Sequence, residues 1–133
     1  MDDEFWMARA LLIANKALSI NELPVGAILV YDNFEISYCL NSCYIYNFCH
    51  AESNIFSKSC FYMSKNFLSK CTLYVTLEPC CVCLSFIYYY RIKKLVFGAR
   101  SSINNNCYIN NVKIKSGILE KESLKLLKKF FRI

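Results

Sequence analysis

Residues 71–84 read Cys71-Thr72-Leu73-Tyr74-Val75-Thr76-Leu77-Glu78-Pro79-Cys80-Cys81-Val82-Cys83-Leu84. The run from Cys71 to Thr76, rich in β-branched and aromatic side chains, has the composition of a strand. Proline is tolerated at a helix entrance, where the backbone N–H is unpaired anyway, so Pro79 opens a helix from Cys80 to about Tyr90. Lys94 to Gly98 then reads as a second strand. Strand, helix and strand joined by short connections make a parallel pair with a right-handed crossover. The class this implies is α/β.

The same stretch carries chemistry. Thiols three residues apart at a helix start lie on one face, where the helix dipole and the unpaired N–H groups favour thiolate. Cys80 and Cys83 can therefore hold one metal between them. His50, the only histidine in the chain, stands in His50-Ala51-Glu52. A neutral imidazole there would make a third ligand and leave the last position of a tetrahedral zinc open to water, as a catalytic site requires. Glu52, on the first turn of a helix and two residues from a ligand, would hydrogen-bond that water without binding the metal and so move its protons. Other readings stay open. Nine cysteines make a chance C-x-x-C easy, so the thiols could be buried packing. Cys43 or Cys49 could complete a structural zinc with only protein ligands. Neither alternative gives Glu52 a role.

A chain of 133 residues fits one domain, 1–133, with room for a real core. Its 56% hydrophobic and 16% aromatic residues raise the question of a membrane segment. Pro24 to Tyr31 and Leu84 to Tyr90 fall well short of the roughly 20 residues a spanning helix needs. The acidic start Met1-Asp2-Asp3-Glu4 is unlike a secretory signal, and an odd cysteine count without a regular framework suits a reducing compartment, so the expected location is the cytoplasm. The first 35 residues hold six acidic against two basic side chains, whereas the rest hold 14 basic against four acidic. A basic C-terminal part suits a polyanion such as nucleic acid; it equally suits a solvated lysine-rich helix.

Around the central stretch the other elements follow from their periods. Asp2 to Leu18 is an amphipathic helix with an acidic first turn, broken by Asn21-Glu22-Leu23-Pro24. Val25 to Tyr31 is a buried strand that turns at Asp32-Asn33 into an antiparallel partner, Phe34 to Leu40. Asn41 to Cys49 is a loop, and a helix runs from Ala51 to about Met63. Lys65 to Lys70 is a short connection. Ser101 to Asn111 is a mobile polar loop and Val112 to Lys115 a short strand or an extended approach. Ile118 to Phe131 is a helix whose apolar stripe is Ile118, Leu119, Leu126, Leu127 and Phe130. The zinc-binding helices would start at the carboxyl ends of strands or beside them, where open α/β sheets build their sites.

With these residues in place the chain resembles the bacterial tRNA-specific adenosine deaminases over almost its full length. The resemblance is carried by Glu22-Leu23-Pro24-Val25-Gly26-Ala27, His50-Ala51-Glu52, Thr72 to Cys80, Cys83, Arg91-Ile92, Val96-Phe97-Gly98-Ala99-Arg100, Gly117-Ile118-Leu119 and Phe130-Phe131-Arg132. It implies a cytidine-deaminase-like three-layer α/β/α sandwich with a central mixed sheet, a homodimer, and hydrolysis of adenosine to inosine at the wobble position of a tRNA anticodon. It further implies one Zn2+ per subunit on His50, Cys80 and Cys83, with Glu52 as proton shuttle. Asn41 matches the asparagine that reads the flipped base, Leu23 and the Leu77 to Pro79 turn line its pocket, and Phe131 and Arg132 match residues near the anticodon stem-loop. The chain departs from the pattern at Tyr46-Asn47-Phe48-Cys49, at Ser85-Phe86 in place of a Gly-Ala pair, and at Ser101 to Asn106 after the Phe-Gly-Ala-Arg element. Two rival functions fit parts of the same pattern: a zinc deaminase of a free nucleobase, nucleoside or nucleotide, and a non-catalytic RNA-binding module with structural zinc.

Overall fold

Asp2 begins the first helix by accepting the Phe5 N–H on its side chain at 2.9 Å, so α1 runs over Asp3–Ser19. A computed structural model describes residues 2–42, 50–59, 62–101 and 111–131. Strands β1 (Gly26–Tyr31) and β2 (Phe34–Leu40) form the expected antiparallel hairpin. Its turn places Asp32 and Asn33 at φ 47° and 63°, the left-handed pair that a two-residue hairpin loop requires. Helix α2 (Ala51–Ser59) is followed by a short α3 (Lys65–Leu68), then β3 (Thr72–Leu77), α4 (Cys81–Tyr89), β4 (Lys94–Ala99), β5 (Lys113–Lys115) and α5 (Glu120–Phe131).

The strands form one mixed sheet in the order β2-β1-β3-β4-β5. β1 runs antiparallel to both neighbours, whereas β3, β4 and β5 are parallel. Alternation along each strand divides the core into two layers. Ile28, Val30, Tyr74 and Val96 face Trp6, Met7, Ala10 and Ile13 of α1. Ala27, Leu29, Leu73, Val75, Leu95 and Phe97 face Ala51, Ile55 and Phe56 of α2 and Leu84 and Ile87 of α4. With α5 also packed on α1 and β4, the architecture is the expected three-layer α/β/α sandwich.

Two glycines set how closely the helices approach. A Cβ on Gly26 would lie 2.3 Å from the Ala10 carbonyl oxygen, and one on Gly98 would lie 2.5 Å from Ser123 Oγ. Ser123 is in turn the only buried residue of α5.

Three local expectations are corrected. Lys65 to Leu68 is helical, capped by Ser64 Oγ on the Phe67 N–H at 3.1 Å. The second helix, described over Ala51–Ser59, does not reach Met63; residues 60 and 61 lie outside the described residues. Ile118 and Leu119 precede α5, because Leu119 takes φ 53°; they pack against the α1 layer instead. Residues 43–49 and 102–110, which include Cys43, Cys49 and the departures at 46–49 and 102–106, lie outside the described residues, as does Arg132.

Candidate deaminase active site

The amino end of β1 and the carboxyl ends of β2, β3 and β4 lie at one end of the sheet, as the pairings Gly26 with Leu40 and Leu77 with Ala99 require. A cavity of about 300 Å3 opens there, lined by Leu23, Val25, Asn41, His50, Glu52, Leu77, Glu78, Pro79, Cys80, Cys81 and Ser101. Of the residues expected to bind substrate, Leu23, Asn41, Leu77 and Pro79 all reach it. Phe131 does not; it is 58% exposed at the end of α5. Val25, Ser101 and Cys81 were not foreseen in the wall.

Helix starts deliver the candidate ligands. The His50 carbonyl accepts the Asn54 N–H at 2.9 Å and the Ser53 hydroxyl at 3.0 Å, which fixes His50 at the head of α2. Asn54 Nδ2 then donates to Leu40 O and Ser42 Oγ, each at 2.9 Å, tying α2 to the end of β2. Cys80 is the N-cap of α4 and is exposed, while Cys83 is buried beneath it. His50 Nδ1 lies 3.8 Å from Cys80 Sγ and 3.5 Å from Cys83 Sγ. The donor atoms all lie within 4.8 Å of one another. Tetrahedral zinc, with bonds of about 2.0–2.1 Å to nitrogen and about 2.3 Å to sulfur, separates such donors by about 3.6 Å. The triad therefore fits the ion.

The electrostatics agree with a cation between these groups. Burial lowers the His50 pKa, favouring the neutral imidazole that a metal needs. Burial pushes the Cys83 thiol far up, and the neighbouring Glu52 and Cys80 push it further. Only a positive charge at the sulfur would make its thiolate stable there. Glu52 is 4% exposed. Burial raises its carboxyl to about 7, against the opposing pull of hydrogen bonds from its own backbone N–H and from Cys83. A carboxyl with its pKa near neutrality can both take and give a proton.

The rim is held by strand ends. The Glu78 N–H donates to Ala99 O at 2.8 Å, and its carboxylate accepts the Ser101 N–H at 2.9 Å, bridging the ends of β3 and β4. Cys81, between the two ligand thiols, is exposed. Two residues along an α-helix rotate a side chain by about 200°, so burying Cys83 with Leu84 and Ile87 turns Cys81 outward.

Comparison with known proteins fits this geometry. Residues 1–99 match the family described as the cytidine and deoxycytidylate deaminase zinc-binding region. The tRNA-specific adenosine deaminase of Buchnera aphidicola subsp. Schizaphis graminum is 37% identical over 142 positions, covering 98% of this chain and 94% of that protein. The Bacillus subtilis protein of the same name is 32% identical over 143 positions, covering 98% and 89%. A solved structure from work on A-to-I editing by tRNA:A34 deaminases superposes with a TM-score of 0.81 at 31% identity, covering 91% of this chain and 97% of that one. Strand order, the His-Cys-Cys triad beside a buried glutamate, and near-full-length similarity converge: the chain belongs to the tRNA-specific adenosine deaminases, within the zinc-dependent cytidine and deoxycytidylate deaminase family.

Proposed function

We propose that the protein hydrolyses the wobble adenosine of a tRNA anticodon to inosine, with residues 1–133 acting as one deaminase domain in the cytoplasm. The observation that carries this reading is Glu52, buried on the wall of a base-sized cavity beside His50, Cys80 and Cys83. Zinc held by His50, Cys80 and Cys83 would supply the Lewis acidity that makes a water nucleophilic near neutral pH. Glu52 takes one proton of that water and delivers it to N1 as the oxygen bonds to C6, then carries the remaining hydroxyl proton to the exocyclic amine, which leaves as ammonia as the C6=O bond forms. Leu23, Val25, Leu77 and Pro79 give the base apolar walls, and Asn41 offers it an amide. A stacked base cannot enter such a cavity, so the substrate is a nucleotide turned out of a single-stranded loop, as an anticodon loop allows at low cost. Phe131 and Arg132, at the end of the chain, are assigned to contacts with the stem-loop.

A homodimer is the proposed working unit. Val82 and Tyr89, 49% and 61% exposed, leave apolar surface on the helix that carries both thiols. Sedimentation should give twice the chain mass, and Val82→Asp should lower it.

The test is inosine formation at the first anticodon position in a set of anticodon stem-loops. Wild type should form inosine and release ammonia. Glu52→Ala should keep zinc and fold while turnover falls about 10²–10⁴-fold, the range for losing a general acid and base. Ammonia release from free bases with no inosine in RNA would replace this reading by a small-molecule deaminase. Full activity of Glu52→Ala would remove the shuttle.

A further inference from the structure

Glu22 does not line the cavity, although its neighbour Leu23 does. It is nevertheless 3% exposed, and its carboxylate accepts a hydrogen bond from Nδ2 of Asn41 at 3.2 Å. Asn41 is itself 3% exposed and forms part of the cavity wall. Burying a carboxylate is costly unless it is well partnered, so a neutral residue of the same shape would be the cheaper filler. The charge has one chemical property that a neutral filler lacks: a carboxylate only accepts. An amide facing it must present its NH2 group, whereas an amide facing glutamine could present either end. Both partners are also fixed by their backbones. The Glu22 N–H donates to Ala17 O at 2.9 Å, just after Asn21 in the left-handed region at φ 61°. The Asn41 N–H donates to Val25 O at 3.1 Å.

We propose that Glu22 is a positioning residue that locks the Asn41 side-chain amide in a single orientation, and thereby fixes the order of donor and acceptor that the wall of the cavity offers to a base. This rests on the deaminase reading above and deepens it. An amide free to flip matches the edge of more than one base, whereas a locked amide selects for one pattern of donors and acceptors.

The lock is tested first without substrate, on the full-length zinc-loaded protein. The Asn41 side-chain NH2 signals are identified in 15N-resolved NMR spectra by their loss in Asn41→Ala. In wild type these protons should exchange slowly with solvent. In Glu22→Gln, which changes charge but not shape, they should exchange at least tenfold faster. Unchanged exchange would overturn the proposal, whatever the substrate proves to be.

The consequence for catalysis is read in the stem-loop assay, where inosine from wild type separately supports the deaminase reading. Glu22→Gln should lower kcat/KM at least tenfold with zinc content unchanged. Glu22→Gln combined with Asn41→Ala should be no slower than Asn41→Ala alone, because the glutamate acts only through the amide. Losses that multiply, or a Glu22→Gln enzyme within twofold of wild type, would overturn it. The reversed pair, Glu22→Gln with Asn41→Asp, restores one donor facing one acceptor. It should recover the thermal midpoint of wild type but not its kcat/KM; recovery of both would reduce the pair to a structural hydrogen bond.

Discussion

Adjacent cysteines meet different fates on α4, and the difference has measurable consequences. Cys83 is buried against Glu52, and its thiolate is stable only beside a cation. Cys83→Ser, like Cys80→Ser, should lose zinc and much stability together, because metal binding and folding are coupled. Elemental analysis and thermal melts check this; a folded variant with full zinc would contradict the ligand assignment. Cys81→Ala should leave zinc content unchanged. The grouping of His50, Cys80 and Cys83 beside Glu52 was legible in the sequence because it depends on short spacings at helix starts, which local geometry fixes. Val25 and Ser101 were not. Valine and serine carry no chemical signature of a site, and they become part of the wall only because the register of β1, β3 and β4 brings their ends together. The burial of Glu22 was equally invisible, since a glutamate beside a helix-breaking turn reads as surface until the sheet closes over it.

Between elements, one carboxylate holds the first helix to three strands. Asp3 at the head of α1 accepts from Tyr74 Oη of β3 at 2.7 Å, Lys94 Nζ of β4 at 3.2 Å and Lys115 Nζ of β5 at 2.9 Å. Burial alone would raise its pKa, but the hydrogen bonds from Tyr74, Lys115 and Lys94 hold it at about 2, below the ordinary 3.8. A carboxyl depressed by folding stabilises the native state above its unfolded pKa, and that contribution disappears as pH falls through the folded one. Denaturant titrations should therefore show wild type losing stability between pH 4 and pH 2 more steeply than Asp3→Asn. Near pH 7 the variant should be weaker by about 1–3 kcal/mol, and the two should converge in acid. Gly26→Ala should be costly at any pH, by about 1–3 kcal/mol or more, because its Cβ would meet rigid backbone of α1 at Ala10 and Ala14. The long elements were readable because apolar periods of two and near four repeat enough times to stand out. The helix Lys65–Leu68 is too short to show a period, and the start of α5 was misjudged because Leu119 belongs to an apolar run whose backbone turns left-handed before the helix begins.

The whole molecule separates its charge from its chemistry. The exposed lysines Lys113, Lys121, Lys125, Lys128 and Lys129 lie on β5 and α5, well along the chain from the His-Glu pair. If they serve the stem-loop, KM should rise steeply with salt while kcat stays level, with log affinity falling about 0.7–0.9 for each phosphate neutralised per decade of salt. Replacing Lys125 and Lys128 by glutamine should flatten that slope; an unchanged slope would leave them as a solvated helix face. The charge imbalance was plain in the sequence, but its placement was not, because which face a C-terminal helix presents depends on the sheet it packs against. The sheet also has direction. Every described residue of the cavity lies at the end where β1 begins and β2, β3 and β4 finish, whereas the Asp32-Asn33 turn lies at the opposite end. That turn is therefore where the chain can carry a passenger: a fluorescent label, an affinity tag or an inserted domain joined there should ride on the enzyme without touching its catalysis.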